Sequence, residues 1–265
     1  MKPIADIPLE DQQLIEVVFT DIDDTLTTDG RLTADAYSAM QTLKNLDIAV
    51  VPITGRPAGW CDHIARMWPV DGVVGENGAF YFRYDHQHKK MLRHYVDSDE
   101  VRQSNKDKLI QLATKIVVTV PGCAVSADQA YREADLAIDF CEDVPALEQN
   151  DIDKIVAVFN QAGASAKVSS IHVNGWFGTY DKLSMTRIFA SDCLGIDLDL
   201  NKKICIFVGD SPNDEPMFKF FPHSVGVANI QSFIDRLSTP PAYVTESKGG
   251  AGFAEVVDLL IDARR

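Results

Sequence analysis

Ile15-Glu-Val-Val-Phe-Thr-Asp21-Ile-Asp23-Asp24-Thr25 is a short apolar run that ends in a cluster of acids. A run of this length, bounded by polar residues, reads as a strand buried on both faces. Asp21 and Asp23 leave its carboxyl end on the same side, because strand side chains alternate with period two. Two carboxylates held so close repel unless a proton or a cation separates them. A hard cation such as Mg²⁺ suits oxygen ligands. One carboxylate could then act as nucleophile toward phosphorus while the other shuttles a proton. Taken alone, the run reads equally well as a solvated acidic turn.

Working outward, the chain alternates strands and helices. Apolar residues recur at helical spacing from Thr33, a suitable N-cap, to Leu46. Ile48-Ala-Val-Val-Pro-Ile53 is a second strand, a helix opens at Pro57, and Gly72-Val-Val-Gly75 is a third strand. The rhythm returns late: a helix over 181–194, a strand at Ile204–Val208, a short helix over 213–221, a strand at Ser224–Val227 and a helix over 230–237. Tyr243–Thr245 reads as a last strand, and Lys248-Gly-Gly250 as a turn before a final helix from about Gly252. This order predicts an α/β fold, a Rossmann-like parallel sheet with helices on both faces.

Between Asp85 and Thr179 the order changes to helix, two strands, helix, two strands. The last two are read as a hairpin through Asn174-Gly175, a common turn dipeptide. The pattern predicts an inserted α+β domain. The expected division is a discontinuous core, 1–84 and 180–265, with the insert at 85–179.

The bulk numbers remove several function classes. The 265 residues are 46% hydrophobic, enough for one large core or for two unequal domains. A net charge of −14 leaves no basic excess for nucleic acid or for an anionic membrane surface. No segment reaches the roughly 20 apolar residues that span a bilayer. Met1–Gln13 is polar and acidic, without the apolar centre of a signal peptide. Five scattered cysteines with no Cys-x-x-Cys pair suggest free thiols in a reducing compartment, hence the cytoplasm.

Three further segments follow predicted strands or open predicted helices. In open parallel sheets such positions gather at one edge, where ligands bind. Thr54-Gly55-Arg56-Pro57 offers a hydroxyl and backbone N–H groups for an anion. Lys182 follows Asp181 at a helix start and could be a point charge for phosphate. Gly209-Asp210-Ser-Pro-Asn213-Asp214 places two acids around a tight turn, suited to a metal or to turn structure alone.

Together these segments resemble the haloacid dehalogenase-like (HAD) superfamily. Asp21-x-Asp23-x-Thr25 is similar to its first motif, Thr54 to its second, Lys182 to its third and Gly209-Asp210-x-x-x-Asp214 to its fourth. The insert lies between the second and third motifs, which resembles the C2-type cap of the IIB branch, home of sugar-phosphate phosphatases and phosphomannomutase. The resemblance implies a Mg²⁺-dependent phosphomonoester hydrolase with an aspartyl-phosphate intermediate. Asp21 would be the nucleophile, and Asp23 the general acid and then base. Asp21, the Asp23 carbonyl and Asp210 would hold Mg²⁺. Thr54 and Lys182 would bind phosphoryl oxygens, with Thr25, Gly55, Asn213 and Asp214 in support. It also implies a small phosphorylated metabolite as substrate, a sugar phosphate by analogy.

The insert would then choose that substrate. Arg132, Glu133, His172, Asn174 and Trp176 lie in its polar or turn regions, and Arg56 and Asn77 near the entrance; each also reads as an ordinary turn or surface residue. The alternatives are a phosphomutase or phosphotransferase using the same intermediate, and a catalytically silent sugar-phosphate-binding protein. A monomer or a small homo-oligomer is expected.

Overall fold

The computed structural model describes residues 1–265. Six strands form one all-parallel sheet in the order Lys2–Pro3, Tyr243–Val244, His223–Gly226, Cys205–Gly209, Val17–Thr20, Ala49–Pro52. Val18, Val50, Ile206 and Val225 pack on one face, under the helices Ala34–Asn45 and Gly249–Asp262. Val17, Phe19, Val51 and Phe207 pack on the other, under Lys182–Phe189 and Glu215–Phe220. Both faces are thus apolar, which is why the Val17–Phe19 stretch shows no polar alternation.

Val73–Gly75 touches this sheet only through a bridge from Val74 to Ile53. It instead starts an antiparallel meander with Phe80–Asp85 and Lys90–Tyr95. This hairpin crosses position 85, where the sequence pattern changes. Its inner residues Phe80 and Phe82 are buried in the core cluster.

A second layer follows. The helices Asp99–Thr119 and Gln149–Gln161 cover one face of a four-stranded antiparallel sheet, ordered Ser165–Val168, His172–Trp176, Leu136–Asp139, Ala124–Val125. Leu109, Ile116, Ile138, Ile155, Phe159 and Val173 form its own apolar core.

Several local expectations change. Asn174-Gly175 is not a hairpin turn but lies inside the strand His172–Trp176. The turn is at Ser169–Ile171, where the Ser169 hydroxyl accepts the N–H groups of Ile171 and His172. Gly175 is there for packing: a Cβ on it would come within 2.2 Å of the Phe159 ring. The final helix begins at Gly249, not Gly252, because Thr28 and Asn229 side chains accept the first N–H groups, of Gly250 and Gly249. The segment Ala228–Arg236 forms 3₁₀ turns rather than an α-helix. After Phe189 the helix loosens into a π-type turn through Leu194.

Candidate active site

Asp21 stands at the carboxyl end of the strand Val17–Thr20, its N–H bonded to the Val208 carbonyl of the neighbouring strand. The next parallel strand delivers Asp210 and then the turn that carries Asp214. Lys182 arrives from the first turn of its helix. That start is fixed by Asp181, whose side chain accepts the Ser184 N–H while the Ser184 hydroxyl accepts the Asp181 N–H. Gly78 lets this helix start come close, since a Cβ there would fall 2.0 Å from the Asp181 carbonyl oxygen. Its φ of +104° is also one that favours glycine.

Lys182 Nζ donates to Asp21 Oδ1 at 2.6 Å and to Asp214 Oδ1 at 2.7 Å. The other Asp214 oxygen accepts the N–H groups of Asp210 and Ser211. Asp214 is therefore committed to bracing Lys182 and the turn. Asp210 is fully buried and accepts from the Thr25 hydroxyl at 3.2 Å and from Asn229 Nδ2 at 3.3 Å. Asn229 also donates to the Asp24 carbonyl and accepts the Gly249 N–H. Sequence reasoning missed Asn229, which sits in an irregular segment with no motif around it.

Carboxylate oxygens of Asp21, Asp210 and Asp214 lie within 4.8 Å of one another. One ammonium faces three buried carboxylates, so two negative charges remain uncompensated. Burial pushes Asp21 up to about 8 against the pull of Lys182, and pushes Asp210 up as well. An all-oxygen donor set with excess negative charge fits a hard divalent cation. Asp21 and Asp210 are the carboxylates best placed to hold it, since both Asp214 oxygens are taken, one by Lys182 and one by the turn, whereas Lys182 binds only Oδ1 of Asp21.

Asp23 leans away from this centre. Arg56 Nε donates to both of its oxygens, at 2.9 and 3.1 Å, and Nη2 donates to Oδ1 at 2.8 Å. Arg56 is buried, stacked over Trp60, and also bonded to Glu142 of the second layer at 2.7 Å. The buried Thr54 hydroxyl accepts the Arg56 N–H at 3.0 Å. Gly55 keeps the backbone clear of Asn77 and Asn174.

The strand His172–Trp176 alternates. His172, Asn174 and Trp176 turn away from the Val173 face that packs on the helices. His172 and Asn174 line the cleft over Asp21 and Asp23, together with Ser169, Ser170, Ile171, Gly55, Arg56, Ser211 and Asn213. Trp176 does not: it is buried, donates to the Tyr180 carbonyl and stacks on the Tyr180 ring. Arg132 also stays out of the cleft. It is buried between Asp128 and Asp135 and donates to the Gly55 carbonyl. Glu133 is exposed, and its N–H, with those of Ala134 and Asp135, binds the Glu76 carboxylate. Asn77, in the left-handed region at φ 55°, is buried with its Nδ2 unpaired, beside Gly55. The cleft keeps about 10 Å³ of free space, roughly one water molecule.

A parallel α/β sheet with a buried carboxylate–lysine centre at its carboxyl edge places charged chemistry where open sheets bind their ligands. Residues 18–170 match the haloacid dehalogenase-like hydrolase family, and the chain belongs to that family. It is 25% identical over 258 residues to a phosphoglycolate phosphatase of Methanobrevibacter smithii, covering 93% of this chain and 99% of that protein. It is 27% identical over 252 residues to phosphoglycolate phosphatase 1 of Saccharolobus solfataricus, covering 94% and 96%. A solved HAD subclass IIB sugar phosphatase superimposes with a TM-score of 0.62 at 12% identity, covering 92% of this chain and 98% of the other; this likeness is one of fold. No helix is long and apolar enough to cross a membrane.

Proposed function

We propose that this chain, a HAD-type phosphatase, hydrolyses small phosphomonoesters with Mg²⁺ through an aspartyl-phosphate on Asp21. The observation that carries the reading is Lys182, buried between Asp21 and Asp214 beside Asp210. When bound, the cation neutralises and orients the phosphoryl group. Asp21 attacks phosphorus, and Lys182 and Thr54 offset charge on the phosphoryl oxygens. Asp23 protonates the leaving oxygen and then takes a proton from water. With Arg56 on both of its oxygens Asp23 can only accept hydrogen bonds. Its acid role therefore requires Arg56 to release one of these oxygens.

Residues 85–179 act in this reading as a C2-type cap over the core of 1–84 and 180–265. A cleft with room for one water must open to admit an ester, so the cap moves in each cycle. The substrate is a small phosphorylated metabolite. Sugar phosphates follow from the motif resemblance; the phosphoglycolate phosphatases among the relatives offer a carboxylate-bearing alternative, and the Glu142 carboxylate beside Arg56 favours the hydroxyl-bearing class. Five free cysteines support a reducing, cytoplasmic setting.

The test is a Mg²⁺-dependent screen over sugar, polyol, nucleotide, glycerate and glycolate phosphates, with Asp21→Asn as control. Release of inorganic phosphate that needs both Mg²⁺ and Asp21 supports hydrolysis. An isomeric phosphate in place of free phosphate would make the protein a mutase.

A further inference from the structure

Glu142 reaches from the second layer to two residues that line the cleft, Arg56 and His172. Its Oε1 accepts from Arg56 Nη2 at 2.7 Å, and its Oε2 lies 2.9 Å from His172 Nε2. The reach is built in. Asp139, buried at the end of its strand, accepts the N–H groups of Cys141, Glu142 and Asp143 at 2.7–2.9 Å. That clasp fixes the turn which aims Glu142 at Arg56.

The cations around the cleft already have anionic partners. Arg56 serves Asp23 and Glu142, with Asp128 3.5 Å from Nη1. Lys182 serves Asp21 and Asp214, and Arg132 serves Asp128 and Asp135. The other polar groups lining the cleft are neutral: Ser169, Ser170, Asn174, Ser211 and Asn213. A hydroxyl-bearing leaving group can bond with these. A carboxylate-bearing one that approaches Arg56 or His172 meets the Glu142 carboxylate already on both, and like charges placed together oppose binding.

Resting on the phosphatase reading above, we propose that Glu142 is a specificity-determining residue. It holds the position beside Arg56 and His172 that an anionic leaving group would take, and so selects hydroxyl-bearing phosphate esters over carboxylate-bearing ones of similar size. Because Glu142 also joins cap to core, its removal can loosen closure. Loosened closure acts on all ligands alike, whereas charge selection acts on one class.

The experiment compares two ligands, 2-phosphoglycolate and sn-glycerol 3-phosphate, with Mg²⁺ present. Calorimetric binding is measured on the full chain carrying Asp21→Asn, alone and combined with Glu142→Gln or Glu142→Ala. Binding in this background needs no turnover. The expected result is roughly tenfold tighter binding of 2-phosphoglycolate in the Glu142 variants, with glycerol phosphate changed less than about threefold. In the Asp21-containing protein the same shift should come mainly through KM. Equal changes for both ligands, or no change for either, overturn the proposal. Failure of the wild-type protein to release phosphate from any ester would sink the phosphatase reading, while the ligand ratio still reports on Glu142.

Discussion

Lys182 Nζ and Asp21 Oδ1 are 2.6 Å apart, and both side chains are buried. Removing one partner of such a pair leaves a charge without solvent or counterion, at a cost of about 3–5 kcal/mol. Lys182→Met should therefore lower thermal stability markedly and cut phosphate release by roughly 10²-fold or more. Asp21→Asn should abolish release and, without metal, melt at or above the wild-type temperature, since it relieves repulsion among the three acids. Paired melting curves and rate assays check both outcomes.

The metal reading makes its own demand. A cation held by Asp21 and Asp210 binds the folded chain only, so saturating Mg²⁺ should raise the melting temperature. At a hundredfold excess over Kd the gain is about 2.7 kcal/mol. Asp210→Asn should lose most of that shift, and chelation should abolish activity until Mg²⁺ is returned. Calorimetric melts with and without Mg²⁺ decide it.

The acids also set a pH dependence with a definite sign. Burial lifts Asp21 from 3.8 to about 8, so between those values the folded chain holds a proton that the unfolded chain has lost. Without metal, this contribution makes stability fall as pH rises from about 4 to about 8. The stabilisation of Asp21→Asn relative to wild type should grow across that window and shrink when Mg²⁺ is added. Glu142 has the opposite sign. Its contact with His172, and then Arg56, hold it down to about 2 against burial. Its stabilising contribution is present above about 4.5 and is lost as pH falls toward 2. Glu142→Gln should flatten that acid limb in a melt series.

Gly175 tests the register of the antiparallel sheet that contains His172–Trp176. A turn would accept alanine with little change. A strand glycine whose Cβ would sit 2.2 Å from the Phe159 ring would not. Gly175→Ala should cost about 1–3 kcal/mol from overpacking, read by denaturant unfolding.

What could be read in advance follows physical range. Val17–Phe19 declared a two-faced strand through its own composition, and Asp21, Thr54, Lys182 and Asp210 gather because strand ends and helix starts of a parallel sheet gather. Asn174-Gly175 misled because turn chemistry is local, whereas the Phe159 ring that requires the glycine comes from a helix elsewhere in the chain. Trp176 shares the face of His172 and Asn174, but it packs against Tyr180 beyond the cleft. Glu142 and Asn229 carried no motif at all. Each is held by long-range partners, Arg56 and His172 for Glu142 and Asp24, Asp210 and Gly249 for Asn229, and such pairings are written in the tertiary structure. The edge strand Lys2–Pro3 was illegible for the same reason: it exists only because Tyr243–Val244 lies beside it.

Asn229 ties the Asp24 carbonyl, the Asp210 carboxylate and the Gly249 N–H into one knot. Ribosomes deliver these groups in order, and the knot closes only after residue 249 has left the exit tunnel. A nascent chain can therefore hold the whole antiparallel sheet that runs from Ala124 to Trp176 while Asp210 still waits for Asn229.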